Sequence, residues 1–110
     1  MEHLNQIELR GIIGSVQIDE VADTYVARFS MATNYIYRDR EGCAVIETTW
    51  HSVTAWQGPG APTLNELAKG DIVHVIGRLR QRKYTSESGE QRSTVDVLAH
   101  FVKIIEEEKE

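Results

Sequence analysis

Residues 48–84 read TTWHSVTAWQGPGAPTLNELAKGDIVHVIGRLRQRKY, and the two ends of this stretch share a period that its middle lacks. At the start, Trp50, Ser52, Thr54 and Trp56 alternate with His51, Val53 and Ala55. A period of two is that of a β-strand, whose successive side chains point to opposite faces. Gly58-Pro59-Gly60 breaks the pattern. Thr63 and Glu66 then make an S/T-x-x-E capping box, Leu64 and Leu67 supply an apolar side, and Gly70 stands where a C-terminal cap belongs, so one short helix is predicted. From Asp71 to Tyr84 alternation returns, with Val73, Val75, Gly77 and Leu79 on one side. The segment is strand, short helix, strand.

The same test applies outward. Gln6 to Ile18 mixes alternation with β-branched residues and reads as a long strand. Gly11 and Gly14 within it suggest the bulge or bend that a strand makes to close a small barrel. After an acidic turn containing Asp19, Glu20 and Asp23, a second strand is predicted over Tyr25 to Thr33, with Tyr25, Ala27, Phe29 and Met31 on one face and Arg28 and Ser30 on the other. A polar stretch from Arg38 to Gly42 precedes the third strand, Ser86 to Glu90 forms a hairpin tip, and a fifth strand runs from about Gln91 to Ile105. An all-β chain of five strands, with one short helix between the third and fourth, has the topology of the OB-fold barrel. The expected organisation is one domain over residues 1–105 and a short acidic tail over 106–110.

Composition narrows the function. At 110 residues and 41% apolar, the chain can bury one modest core. It has no apolar run long enough to span a membrane, and its N-terminus lacks the basic-then-apolar layout of a signal peptide. A single cysteine, Cys43, excludes an internal disulfide framework. These features predict a cytoplasmic protein. His3, His51, His74 and His100 are scattered, with no CxxC or HxxxH spacing, so neither a metal site nor another cofactor is expected. No nucleophile elbow or phosphate-binding glycine loop occurs, and Asp19, Glu20 and Asp23 read as turn residues in a solvated loop. No enzyme activity is predicted.

The net charge of −5 argues against a polyanion partner until its distribution is considered. Residues 106–110 alone carry −3, whereas Arg78, Arg80, Arg82, Lys83 and Arg92 crowd five of the twelve basic residues into fifteen positions. Trp50 and Trp56 share one side of their strand with small hydroxyl residues, while the apolar side carries His51, Val53 and Ala55. The tryptophan side is therefore expected to face outward, where an indole can stack on any base. Arg78, Arg80, Arg82 and Tyr84 likewise share one side of the fourth strand, and guanidinium groups both pair with phosphate and stack on bases. Tyr37, Arg38 and Arg40, entering the loop after the second strand, repeat the aromatic-beside-basic arrangement.

Three stretches carry a resemblance to the bacterial single-stranded-DNA-binding protein family, from Asn5 to Ile105: NQIELRGIIG, ATNYIYRDR through TTWHSVTAW, and LAKGDIVHVIGRLRQRKYTSESGEQR. The resemblance implies base stacking at Tyr37, Trp50, Trp56 and Tyr84, and a DNA path lined by Arg38, Arg40, Arg80, Arg82 and Lys83. It also implies a homo-oligomer, usually a tetramer, with His51 tied to subunit assembly and an interface at the first strand and around His74. The expected function is sequence-tolerant binding of single-stranded DNA in replication, recombination and repair, in the nucleoid. The chain departs from the family in having Ser15-Val16-Gln17 where Asp-Pro is common, and tyrosines at two positions where tryptophan is frequent. Residues 106–110 are acidic but lack the family's Pro-Phe tip, so tip-mediated recruitment of replication or repair enzymes is not expected of them. Two other readings share the fold: a tailless primosome-type dimer bridging replication proteins, and a module used for protein contacts alone.

Overall fold

A computed structural model describes residues 2–105; the predicted acidic tail, 106–110, lies outside the described residues. Five strands, β1 (Ile7–Val21), β2 (Thr24–Arg38), β3 (Ala44–Trp56), β4 (Ile72–Thr85) and β5 (Gln91–Ile105), form a closed barrel in the order β1-β2-β3-β5-β4. This is the predicted OB-fold, and closure removes the sheet edges within the barrel itself.

β1 achieves the closure by serving two neighbours. Ile7 to Ile12 pair with β4, Ile12 to Val21 pair with β2, and the register slips between Ile13 and Ser15 at the expected Gly14 bulge. A bulge bends its strand and raises the local twist, which lets one strand turn from one sheet into the next. The other closing contact is parallel and short, with Val53, Thr54 and Ala55 of β3 facing Val97, Leu98 and Ala99 of β5. Asn5 extends the β1–β4 ladder by imitation: its side-chain amide donates to the Leu79 carbonyl at 2.7 Å and its side-chain oxygen accepts the Leu79 N–H at 2.9 Å.

The core is the inward set of all five strands, including Ile13, Met31, Val53, Val73 and Val75, each at most 2% exposed. Burying an aliphatic side chain of this size stabilises by about 1.5–3 kcal/mol, so the inward alternation decides which side of every strand is left for function. Leu79, which alternation puts on the same side as Val73, Val75 and Gly77, is 45% exposed. At Leu79 the β4–β5 ladder is leaving the barrel as a two-stranded arm, which continues to Thr85 and Gln91, and its inward row runs out of core.

Three other elements differ from the sequence reading. The second strand does not stop at Thr33 but continues to Arg38, paired with β3 as far as Ala44, so Tyr37 and Arg38 lie on a second arm rather than in a loop. Likewise, β1 runs through Asp19 and Glu20 to Val21, and the turn is only Ala22-Asp23, both at positive φ (50° and 67°) as a two-residue hairpin of the I′ kind requires. Asp19 and Glu20, adjacent on a strand, point to opposite faces and cannot form a carboxylate cluster.

The predicted helix is a single 3-10 turn, Leu64–Glu66, and Thr63 makes no side-chain cap. Burial of Leu64 and Leu67 decides this geometry, since residues three apart eclipse in a 3-10 turn and both leucines enter the barrel end. The chain must then reverse at once: Asp71 accepts the Ala68 N–H on its carboxylate, and the Gly70 N–H reaches the Ile13 carbonyl.

Candidate nucleic-acid interface

The β2–β3 ladder runs without a register break from Val26 opposite Trp56 to Arg38 opposite Ala44. Residues directly opposite in such a ladder point the same way. Trp50 and Trp56 therefore share their face with Arg28, Ser30, Ala32 and Arg38 of β2, and with Ser52 and Thr54 of their own strand. They are 60% and 48% exposed, whereas Val53 and Ala55 on the other side are at most 2% exposed, so the tryptophans are not core residues.

Each indole has a defined setting. The Trp50 ring lies over Gly14, close enough that a Cβ there would overlap it, so the bulge glycine that bends β1 also seats the ring. Over β1 and β2, and reaching Ser52 of β3, lies an open groove of about 330 Å³ lined by Ser15, Val16, Gln17, Arg28, Phe29, Ser30 and Ser52. The Ser15 and Ser30 hydroxyls meet across it at 2.8 Å. On the far side, Trp56 is one wall of a larger concavity of about 520 Å³, with Asn5, Gly60, Arg78 and Leu98 among the others.

The face continues across the short parallel contact. Thr54 pairs with Leu98 and Leu98 with Arg78, and one step along, Arg80 lies opposite Asp96. Asp96 is the one buried carboxylate among the described residues. It accepts Nε of Arg80 at 3.2 Å and Nη2 at 2.9 Å, together with the Thr54 hydroxyl at 3.4 Å, while Arg82 stands 3.9 Å away. The Arg80 hydrogen bonds hold the Asp96 carboxyl below the usual carboxylate range, against the opposing effect of burial and with help from the charges of Arg80 and Arg82. The same bonds raise the Arg80 guanidinium above its ordinary value. Arg80 is thus largely neutralised, while Arg78 has no acidic partner within 4 Å among the described residues.

Of the ten residues singled out in the sequence, Trp50, Trp56, Arg38, Arg78, Arg80, Arg82 and Tyr84 fall on this one continuous face. Tyr37 and Lys83 point to the opposite sides of their arms, Tyr37 stacked on Tyr35 with centroids 6.1 Å apart. Arg40 is exposed in the β2–β3 turn, and Arg38 donates to the Gly42 carbonyl at 2.8 Å. Arg28 and Asp96 are the residues that strand-by-strand reading did not assign to the site.

The two histidines lie elsewhere. His51 points inward and shares a 2.8 Å hydrogen bond with the Thr33 hydroxyl. His74 is on the outer side of β4, 2.6 Å from Glu8, with Arg10 donating to its other ring nitrogen at 3.2 Å. At the β2–β3 tip, donor atoms of Asp39, Glu41 and Cys43 come within 4.8 Å of one another. All three are exposed, and the Asp39 carboxylate already accepts the N–H groups of Glu41 and Cys43, so turn geometry accounts for the cluster. No described helix is long and apolar enough to cross a membrane.

The single-strand binding protein family model matches residues 4–105, nearly the whole described barrel. The chain belongs to that family. Among its relatives, the single-stranded DNA-binding protein of Neisseria meningitidis serogroup A is 34% identical over 80 residues, which cover 73% of this chain and 46% of the relative. That of Xanthomonas campestris is 31% identical over 104 residues, covering 93% of this chain and 60% of the relative. The chain thus spans about half the length of these two family members. Among solved structures, a Plasmodium falciparum SSB in complex with single-stranded DNA superposes with a TM-score of 0.80 at 25% identity, over 96% of this chain and 98% of that one. A small single-stranded DNA-binding protein of Streptomyces coelicolor gives 0.71 at 25% identity, over 96% of each chain. Both family likenesses extend over the arms as well as the barrel, since each covers nearly the full chain.

Proposed function

We propose that this chain binds single-stranded DNA without sequence preference, stacking bases on exposed aromatics and holding phosphates with arginines, and that it performs no catalysis. The observation that carries the reading is the single outer face on which Trp50, Trp56, Arg78, Arg82 and Tyr84 converge. A strand following this face onto the arms meets Tyr37 and Lys83 where it wraps to their other sides, with Arg38 and Arg40 along the β2–β3 arm. Stacking tolerates any base because each has a π-face, and ion pairing with the backbone ignores sequence.

The test is a titration of tryptophan fluorescence with oligo-dT at about 50 and 200 mM salt. Quenching at low salt with affinity falling steeply at the higher salt is expected. No quenching at low salt would remove the reading and leave a module for protein contacts.

The same proposal includes the family's protective role in replication, recombination and repair in a cytoplasmic, nucleoid-associated setting, and assembly into a homotetramer. The outward side of β1 supports assembly, because Glu8 and Arg10 enclose His74 there, away from the tryptophan face. Sedimentation should give four times the chain mass, and a dimer would favour the primosome-type alternative.

A further inference from the structure

Trp50 and Trp56 are six residues apart on β3, which is about 20 Å at roughly 3.4 Å per strand residue. Neighbouring stacked bases lie only about 3.4 Å apart, so bases seated on the two indoles are not adjacent. The backbone joining them passes the rows between, Ser15–Ser30–Ser52 and Gln17–Arg28–Thr54, and over the β1 and β2 part of those rows lies the open groove.

Its residues have the chemistry of a backbone seat rather than a base seat. The aromatic in its lining, Phe29, is 4% exposed and belongs to the core. The Ser15, Ser30 and Ser52 hydroxyls line up across β1, β2 and β3, since Ser15 pairs with Ser30 and Ser30 with Ser52. Small hydroxyl side chains leave room for a sugar and offer donors to phosphate oxygens. Arg28 supplies the charge. It is exposed, opposite Gln17 on one side and Thr54 on the other, and no carboxylate lies within 4 Å of it among the described residues. The nearest acid along β1, Asp19, is engaged by the Gln17 amide at 3.2 Å. Arg80, by comparison, already commits the Nε and Nη2 edge of its guanidinium to Asp96. Among the described residues Arg28 is therefore, like Arg78, a cation without a carboxylate partner, and it stands in the row beside Trp56.

We infer that Arg28, with the Ser15, Ser30 and Ser52 hydroxyls, forms a phosphate-binding subsite that carries the DNA backbone between the bases stacked on Trp50 and Trp56. The inference rests on the single-stranded-DNA reading and adds a contact to it.

The experiment measures oligo-dT affinity against salt for the full chain, for Arg28→Gln, for Arg28→Lys and for Lys69→Gln, an exposed lysine at the end of the barrel. One lost phosphate contact makes the slope of log K on log salt shallower by about 0.7. That change is expected for Arg28→Gln, with the slope restored by Arg28→Lys and unchanged by Lys69→Gln. Arg28→Gln binding with the parent slope would overturn the subsite while leaving DNA binding in place. An equal change in Lys69→Gln would also overturn it, by tracing the effect to net charge. Failure of the unsubstituted chain to bind at low salt would remove both readings together. Circular dichroism checks the fold, which an exposed strand position should not disturb.

Discussion

Trp50→Ala combined with Trp56→Ala is expected to weaken oligo-dT binding by about 2–6 kcal/mol, on the order of 30- to 10⁴-fold, from about 1–3 kcal/mol per stacked base. Filter retention or anisotropy measures it, because the substitutions remove the fluorophores. Both rings are about half exposed or more, so their loss leaves the core untouched. The melting temperature should therefore move little while the affinity collapses. The single variants separate two environments: Trp56 forms a wall of the larger concavity, whereas Trp50 rests on the Gly14 bulge. Retention of parent affinity in the double variant would place the DNA on another surface and reopen the protein-contact alternative.

Arg80→Ala is expected to act mainly on stability. It strips the two hydrogen bonds that compensate Asp96, whose side chain is 8% exposed. Breaking one side of a buried pair costs about 3–5 kcal/mol. The lower end, about 3 kcal/mol, applies here because Arg80 is itself partly exposed and Arg82 stands near enough to take over some of the pairing. Asp96→Asn is the complementary variant, since it releases Arg80 toward the tryptophan face proposed to hold DNA. It should bind oligo-dT more tightly than the parent, with a steeper salt slope, and urea unfolding of both variants supplies the stabilities. The pair also sets an acid limit. The folded Asp96 carboxyl titrates below its unfolded value of about 3.9. Its contribution is complete above that value and is lost as the pH falls through the depressed folded one. The parent should thus lose stability in this acid window through Asp96, and Asp96→Asn should show a shallower decline there. An unchanged acid profile in the variant would mean the pair does not couple to folding.

Much of this molecule was legible because its period-two pattern is strong wherever one face is buried. TWHSVTAW and DIVHVIG declare their inward rows, and Gly14 declares the bend. The pattern failed where burial stops. Past Thr33 and past Leu79 the strands continue as arms exposed on both sides, so nothing forces alternation on Asn34 to Tyr37, and Leu79 lost its core partners. The capping box at Thr63 failed for a different reason. Two leucines three residues apart, with an immediate reversal at Asp71, favour one tight turn over a capped helix. Site residues followed the same division. The tryptophans and the arginine row were visible within single strands. Asp96 and Arg28 matter through their neighbours across the ladder, a relation that sequence spacing does not contain. The only local sign was a lone carboxylate between Val95 and Val97.

The three-pair parallel contact between β3 and β5 has a consequence for the coupling of binding to folding. On one side of that seam stand Trp50 and Trp56, and on the other the arginines of β4, reached through β5. No single hairpin holds both halves of the face, so a chain with the seam open has no complete grip to offer. A ligand that contacts both halves selects the closed barrel, by about 2.7 kcal/mol at a hundred times its dissociation constant. On the proposed reading, holding the strand and holding the barrel shut are one equilibrium, and each added nucleotide contact across the seam would act as a clasp on the fold itself.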